Sequence, residues 1–467
     1  MITDLLFYSP NSSVGIFYST YQGDVNLLRQ NNGWRPSWTH IISGNFGGNG
    51  FTDLLFYEAS TGTGEFYTTD GHGGITLLQQ HTNWRQTWTH IIPGNFGGSG
   101  FTDLLFYEAS TGTGEFYTTN GQGGLTLLRQ HTNWRETWTQ IIPGNFGGNG
   151  YTDLLFYEAS TGTGEFYATN GQGGITQLQL HTNWRETWTQ IIPGNFGGNG
   201  FTDLLFYEAS TGTGEFYATN GQGGITQLQQ HTNWRETWTQ IIPGDFGGNS
   251  FTDLFFYEGS TGTGEFYSCN GAGDINLLKQ HNQYWQLPYT LVIPGLFAPL
   301  QAVILHIKVL KQPLTSIQVQ LEEIREAFVS AGIRVIVKSI ETLDLPHLLD
   351  IDINCEGGYG DNITGDVAEL YRHRANVGKN ELAIYYLNST NPPLGGCAKY
   401  PGEKAGAVVT YFVYPYTLAH EIGHILSLDH VSNNKNLMHK GDIQDPPPNL
   451  SSYQIFRMYL SKYSINL

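Results

Sequence analysis

A chain of 467 residues exceeds one ordinary core, so two or more folded units are expected. Its 22 Lys+Arg stand against 40 Asp+Glu, a formal charge of −18 that repels nucleic acid and anionic membranes and excludes a nucleic-acid role. The hydrophobic share of 39% with 60 glycines describes a globular, turn-rich protein, and no apolar run is long enough for a membrane span.

The first element is a repeat. Thr52-Asp53-Leu54-Leu55-Phe56-Tyr57 recurs at 3, 102, 152 and 202, and nearly intact at 252. Each copy holds four short β-type runs separated by glycine-rich turns. In the second copy they are Asp53 to Tyr57, Gly64 to Thr68, Ile75 to Gln80 and Thr87 to Ile92. Six such copies over residues 1–297 predict an all-β propeller of six four-stranded blades. The divergent first and last copies are expected to meet where the ring closes, which leaves no exposed sheet edge.

The turn Asn45-Phe46-Gly47-Gly48-Asn49-Gly50-Phe51-Thr52-Asp53 resembles the loop of integrin-like (FG-GAP or VCBS) propeller repeats, which holds calcium. Asn45, Asn49 and Asp53 fit that loop, but Gly47 brings no side-chain oxygen, and Gly97, Gly147, Gly197 and Gly247 repeat the gap. Calcium is therefore not expected in the repeat loops, which read as hydrogen-bonded turns.

Past Ala298 the repeat stops, and residues 299–467 predict one α+β domain. Strands are expected at Ala302 to Val309, Ile333 to Ile340, Leu382 to Leu387 and Ala407 to Phe412. Helices are expected at Ser316 to Ser330, Gly365 to Ala375, Leu418 to Leu428 and Ser452 to Lys462. Within the third helix and its exit, His420-Glu421-Ile422-Gly423-His424 and His430 complete HExxHxxxxxH. Residues four apart share a helix face, so His420 and His424 can hold one metal, with His430 as third ligand. Three imidazoles and an open position describe a catalytic Zn2+ site, with Glu421 as general base.

This motif resembles the metzincin clan of zinc endopeptidases, which implies a metzincin-like domain acting on a protein or peptide substrate. The resemblance makes Met438, in Asn436-Leu437-Met438, the Met-turn beneath the metal. Ser427 stands where the clan has glycine, and Lys440 where some members have tyrosine. The Leu382 to Leu387 strand is expected to form the substrate-facing sheet edge, and loops such as Gly441 to Asn449 to set specificity.

Cys355 and Cys397 form a candidate disulfide, the alternative being two buried thiols, while Cys269 reads as a buried structural thiol. No signal peptide is visible at Met1-Ile2-Thr3-Asp4-Leu5, yet the disulfide suits a secreted protein. The repeats also offer candidate sugar platforms: Trp84, Arg85 and Trp88; Trp134, Arg135 and Trp138; Trp184, Arg185 and Trp188; Trp234, Arg235 and Trp238. The leading expectation is a zinc endopeptidase targeted by a glycan- or protein-binding propeller. The rival is a multivalent lectin with a vestigial peptidase-like domain.

Overall fold

The computed structural model describes residues 2–329, 331–355, 365–399, 404–441 and 448–466. The chain divides into two compact units, Met1–Ala298 and Pro299–Leu467.

The first unit is a six-bladed propeller of four-stranded antiparallel sheets. A typical sheet joins His40–Gly44, Asp53–Glu58, Thr63–Thr69 and Ile75–His81 in that order. The fourth run of each copy thus leaves its own blade and begins the next one. It is also shorter than the sequence suggests, starting at His90 rather than Thr87, because Thr89 N donates to Tyr107 O as the chain crosses between blades. The ring closes when Leu291–Gly295 pairs with Asp4–Ser9. The turn after that strand is tied to the first copy as well: Phe297 N and Ala298 N donate to Asp4 Oδ2 at 2.9 and 2.8 Å.

The inter-copy turns follow from one carboxylate. Asp53 Oδ2 accepts from Phe46 N and Gly47 N, and Oδ1 accepts from Thr69 N and Thr68 Oγ1. Asn45 Oδ1 accepts from Gly48 N, and Asn49 Nδ2 donates to Thr69 O. The oxygens that a cation would need are engaged by the turn's own donors.

Neighbouring blades are joined by a repeated ionic contact. Arg85 bridges Glu108 at 2.9 Å and Glu115 at 2.6 Å in the next copy, and Arg35, Arg135, Arg185 and Arg235 do the same one blade apart. The closing junction differs. Ser9 and Ile16 stand at the positions of the two glutamates, and the last copy supplies Trp285 and Gln286 near the position of the arginine. Here Phe7, Ile16, Tyr18, Phe255, Trp285 and Tyr289 form an apolar cluster instead.

The second unit is built on a mixed sheet with few helices. Its strand order is Ile333–Thr342, Gln301–Val309, Leu382–Leu387, Gly406–Thr410 and Gly396–Lys399; the first four run parallel and the last is antiparallel. One face (Leu305, Ile307, Ile384, Tyr386, Val409) packs under α1 (Ile317–Val329) and α3 (Thr417–Ile425). The other face (Tyr385, Leu387, Val408) meets Val367 and Leu370 of α2 (Gly365–Leu370). A last helix, α4, spans Ser452–Tyr459 behind a Ser451–Gln454 capping box.

Two expectations are corrected. Leu382–Leu387 is an interior strand buried on both faces, not the sheet edge, as its continuous apolar run requires. The sheet ends in Ile333–Thr342 on one side and in Gly396–Lys399 on the other, and the Gly395-Gly396 start of the latter, after two prolines, reads as loop. The second helix stops at Leu370 rather than Ala375, as the Arg374 guanidinium turns to the carbonyls of Ala405 and Glu381. The architecture establishes a mixed-sheet unit; it does not by itself establish the finer metzincin assignment.

Candidate metal centre

Helix α3 carries the central residues. Its apolar side (Leu418, Ile422, Ile425) enters the core, which leaves His420 half-buried, His424 buried at 6% exposure and Glu421 buried at 8%. The helix must end early for His430 to return. Ser427 makes that reversal at φ 73°, donating its N–H to His424 O, and Leu428 N reaches back to Gly423 O. The expected glycine conformation is therefore present with a serine in it. Val431 N then donates to Met438 O at 2.9 Å, fastening the His430 segment to the turn Asn436–Met438.

Met438 is fully buried under the helix. A Cβ placed on Gly423 would fall 2.5 Å from Met438 Sδ, so the motif's glycine permits this close approach.

The three Nε2 atoms converge to 3.1–3.2 Å of one another. On the far side of two rings, His420 Nδ1 and His424 Nδ1 donate to the carbonyls of Leu437 and Leu428, each at 2.8 Å. That fixes the tautomer: the Nε2 atoms of both rings carry lone pairs, not protons. Burial, then the neighbouring His424, pushes the His420 pKa down to about 4; burial lowers His424 to about 4 as well. Both are neutral at pH 7. Converging lone pairs repel unless an electrophile sits among them. A tetrahedral ion bonded at about 2.0 Å separates its ligands by roughly 3.3 Å, so the residues fit a divalent cation. Among the described residues, His420, His424 and His430 form a cluster able to hold a metal.

Glu421 lies one position round the helix. Burial raises its carboxyl to about 8, and a cation at the triad would act in the opposite direction. The edge strand closes over it: a Cβ on Gly396 would lie 2.7 Å from Glu421 Cγ. Sequence reasoning misses Gly396 and Gln454, and it names Asn436 only as the start of the Met-turn segment. The Ser451-x-x-Gln454 capping box was a signal that could have drawn attention to Gln454.

The other candidate residues are placed as follows. Cys355 and Cys397 are joined, with Cα atoms 6.1 Å apart, so the bridge forms. Cys269 is buried in its blade, and burial pushes its thiol well above the usual range. Residues 442–447 of the expected specificity loop lie outside the described residues.

The tryptophans are blade packing. Trp84 covers Gly64 and meets Phe106 of the next copy edge-on at 5.1 Å, and Trp134, Trp184 and Trp234 repeat this. Trp88, Trp138, Trp188 and Trp238 are buried beneath the guanidinium groups of Arg85, Arg135, Arg185 and Arg235, 4.7–4.9 Å above the rings. The second tryptophan of each pair is thus covered by its arginine, and each of these guanidinium groups is committed to two glutamates of the next copy.

No family model and no curated protein matches this chain. Solved structures do. A periplasmic gluconolactonase of Pseudomonas aeruginosa is 12% identical with a TM-score of 0.41, over 63% of this chain and 99% of its own. A putative 6-phosphogluconolactonase from Bacteroides uniformis is 12% identical with a TM-score of 0.40, over 62% and 87%. One from Bacteroides fragilis is 11% identical with a TM-score of 0.38, over 60% and 80%. These similar structures are described as lactonases. The expected metzincin zinc endopeptidase guided by a sugar-binding ring, and its lectin rival, are corrected to this extent: the solved structures similar to this chain are named as lactonases, not as metalloproteases or lectins, and the likeness is one of fold. No helix among the described residues is long and apolar enough to cross a membrane.

Proposed function

We propose that the unit Pro299–Leu467 is a metal-dependent hydrolase of acyl compounds. His420, His424 and His430 hold one divalent cation, for which zinc is the natural test ion given three imidazole donors. The observation that carries the reading is the convergence of three Nε2 atoms, two of them fixed as lone-pair donors by backbone carbonyls. When bound, such a cation polarises an acyl oxygen and acidifies a water. Glu421 would take a proton from the attacking water as its oxygen bonds the acyl carbon, and would return it to the leaving oxygen or nitrogen as the acyl bond breaks. Gly396 and the edge strand hold the Glu421 side chain against the helix and limit the water that reaches it.

On this reading the enzyme works in an oxidising compartment, outside the cytoplasm, and the Cys355–Cys397 bridge, which persists in such a compartment, supports it. The propeller loops serve in this reading as hydrogen-bonded turns without calcium.

Metal analysis of the full chain tests the proposal first. About one ion per chain is expected, and loss of it in His424→Ala. Metal-loaded protein is then assayed on chromogenic esters, lactones and anilides beside Glu421→Gln, which should retain the ion and lose at least about 100-fold in rate. Wild type without bound metal, or Glu421→Gln with undiminished hydrolysis, would overturn the reading.

A further inference from the structure

We propose that Gln454, on α4, is a positioning residue for the three-histidine site. The inference rests on the metal-binding reading above. Gln454 and Asn436 are both buried at 6% exposure, and their carboxamides pair reciprocally. Asn436 Nδ2 donates to Gln454 Oε1 at 2.8 Å, and Gln454 Nε2 donates to Asn436 Oδ1 at 3.0 Å. The same Asn436 Oδ1 accepts from Met438 N at 2.9 Å, which closes the turn Asn436–Met438. Leu437 O, in the middle of that turn, accepts from His420 Nδ1 at 2.8 Å. A continuous set of directional bonds thus runs from Gln454 through Asn436 and the turn to a ring nitrogen of the site.

Gln454 is itself held at the start of its helix. Ser451 N donates to Gln454 Oε1 at 2.9 Å, and Gln454 N donates to Ser451 Oγ at 3.3 Å. Only a carboxamide can accept from Asn436 and Ser451 while donating to Asn436; glutamate lacks the donor, and leucine lacks both functions. Loss of the pair leaves the buried Asn436 Nδ2 without its acceptor, and Asn436 Oδ1 keeps only Met438 N. The turn, still tied by Val431 N to Met438 O and by Leu437 N to Asn449 O, is the element expected to shift in response. Leu437 O would then no longer fix the orientation and tautomer of His420. Met438 packing does not replace this, because dispersion contacts set a distance but not the direction of a carbonyl.

The test uses the full chain with Zn2+ or Co2+ alone as probe. Gln454→Leu is expected to bind Zn2+ about 10-fold more weakly in competition with a chromogenic chelator, and to alter the visible Co2+ spectrum. Gln454→Glu, which keeps the acceptor, should fall between. Phe456→Ala, on the exposed side of the same helix, should match wild type in both readouts. Wild-type Zn2+ affinity and an unchanged Co2+ spectrum in Gln454→Leu would overturn the proposal, whatever happens to its melting temperature. Should that variant not fold, unchanged affinity in Gln454→Glu overturns it equally. Wild type that binds no ion sinks the parent reading instead, so the two failures are distinguishable.

Discussion

Ser427 carries a Cβ into a conformation that favours glycine, and it does so at the turn on which His430 depends. A non-glycine residue at positive φ stores strain of about 1–3 kcal/mol, partly offset by the greater freedom that glycine has in the unfolded chain. Ser427→Gly should therefore stabilise the second unit by about 1 kcal/mol in urea unfolding, with metal content unchanged; a lower midpoint would contradict the assignment. Gly396 makes the opposite demand. A methyl group there collides with Glu421, so on the proposed function Gly396→Ala should keep the ion of the wild type and lose roughly 100-fold in hydrolysis, since displacing a reacting group by about 1 Å costs that much.

At the scale of elements, the Cys355–Cys397 bridge ties the edge strand Gly396–Lys399 to the segment after Asp350–Asp352. Its sequence separation of 42 gives a loop-closure contribution of about 4 kcal/mol. Reduction, or Cys397→Ser, should lower the stability of the second unit by that order, as read by unfolding with and without reductant. The strands and helices that were legible in the sequence are those with a strong period or a continuous apolar run, such as Leu382–Leu387 and α3. The edge strand was not legible, because its residues gain their extended form from pairing with Gly406–Thr410 and carry little preference of their own. The three histidines were legible because residues four apart share one helix face, so His420 and His424 announce themselves by a local spacing, with His430 close behind. The Asn436–Gln454 pair was not, since two amides 18 residues apart announce nothing until a fold joins them.

For the whole ring, the repeated junction predicts an acid response. Burial alone would raise the Glu208 carboxyl, but Thr187, Thr211 and Arg185 outweigh it and hold the group below the usual range. A carboxylate depressed in the folded state contributes stability above its unfolded pKa of about 4.3 and loses it as pH falls through the folded value. Wild type should thus exceed Glu208→Gln in melting temperature at pH 6, and the gap should narrow as pH falls below about 4.3. Comparison with one variant isolates this from Asp153, Asp203 and Asp253, which burial shifts upward and which act in the opposite sense. The closing junction predicts a different sensitivity. Ile16→Glu would restore the repeat's own residue where no arginine awaits it, and an unpaired buried charge costs roughly 3–5 kcal/mol. The propeller transition should fall accordingly, with faster amide exchange in Leu291–Gly295; an unchanged transition would mean that this junction tolerates charge as the other five do.

The closing sheet has a consequence for the order in which the protein can be made. Asp4 waits for backbone donors 293 and 294 positions later in the chain, and its strand waits about as long for the partner that completes its sheet. At about 5–20 residues per second, a ribosome takes roughly 15–60 s to supply them. During that interval the first blade stands with an unpaired edge while later copies of nearly the same sequence emerge beside it. The apolar, arginine-free junction gives the nascent chain a means of telling its true last blade from the look-alikes that precede it.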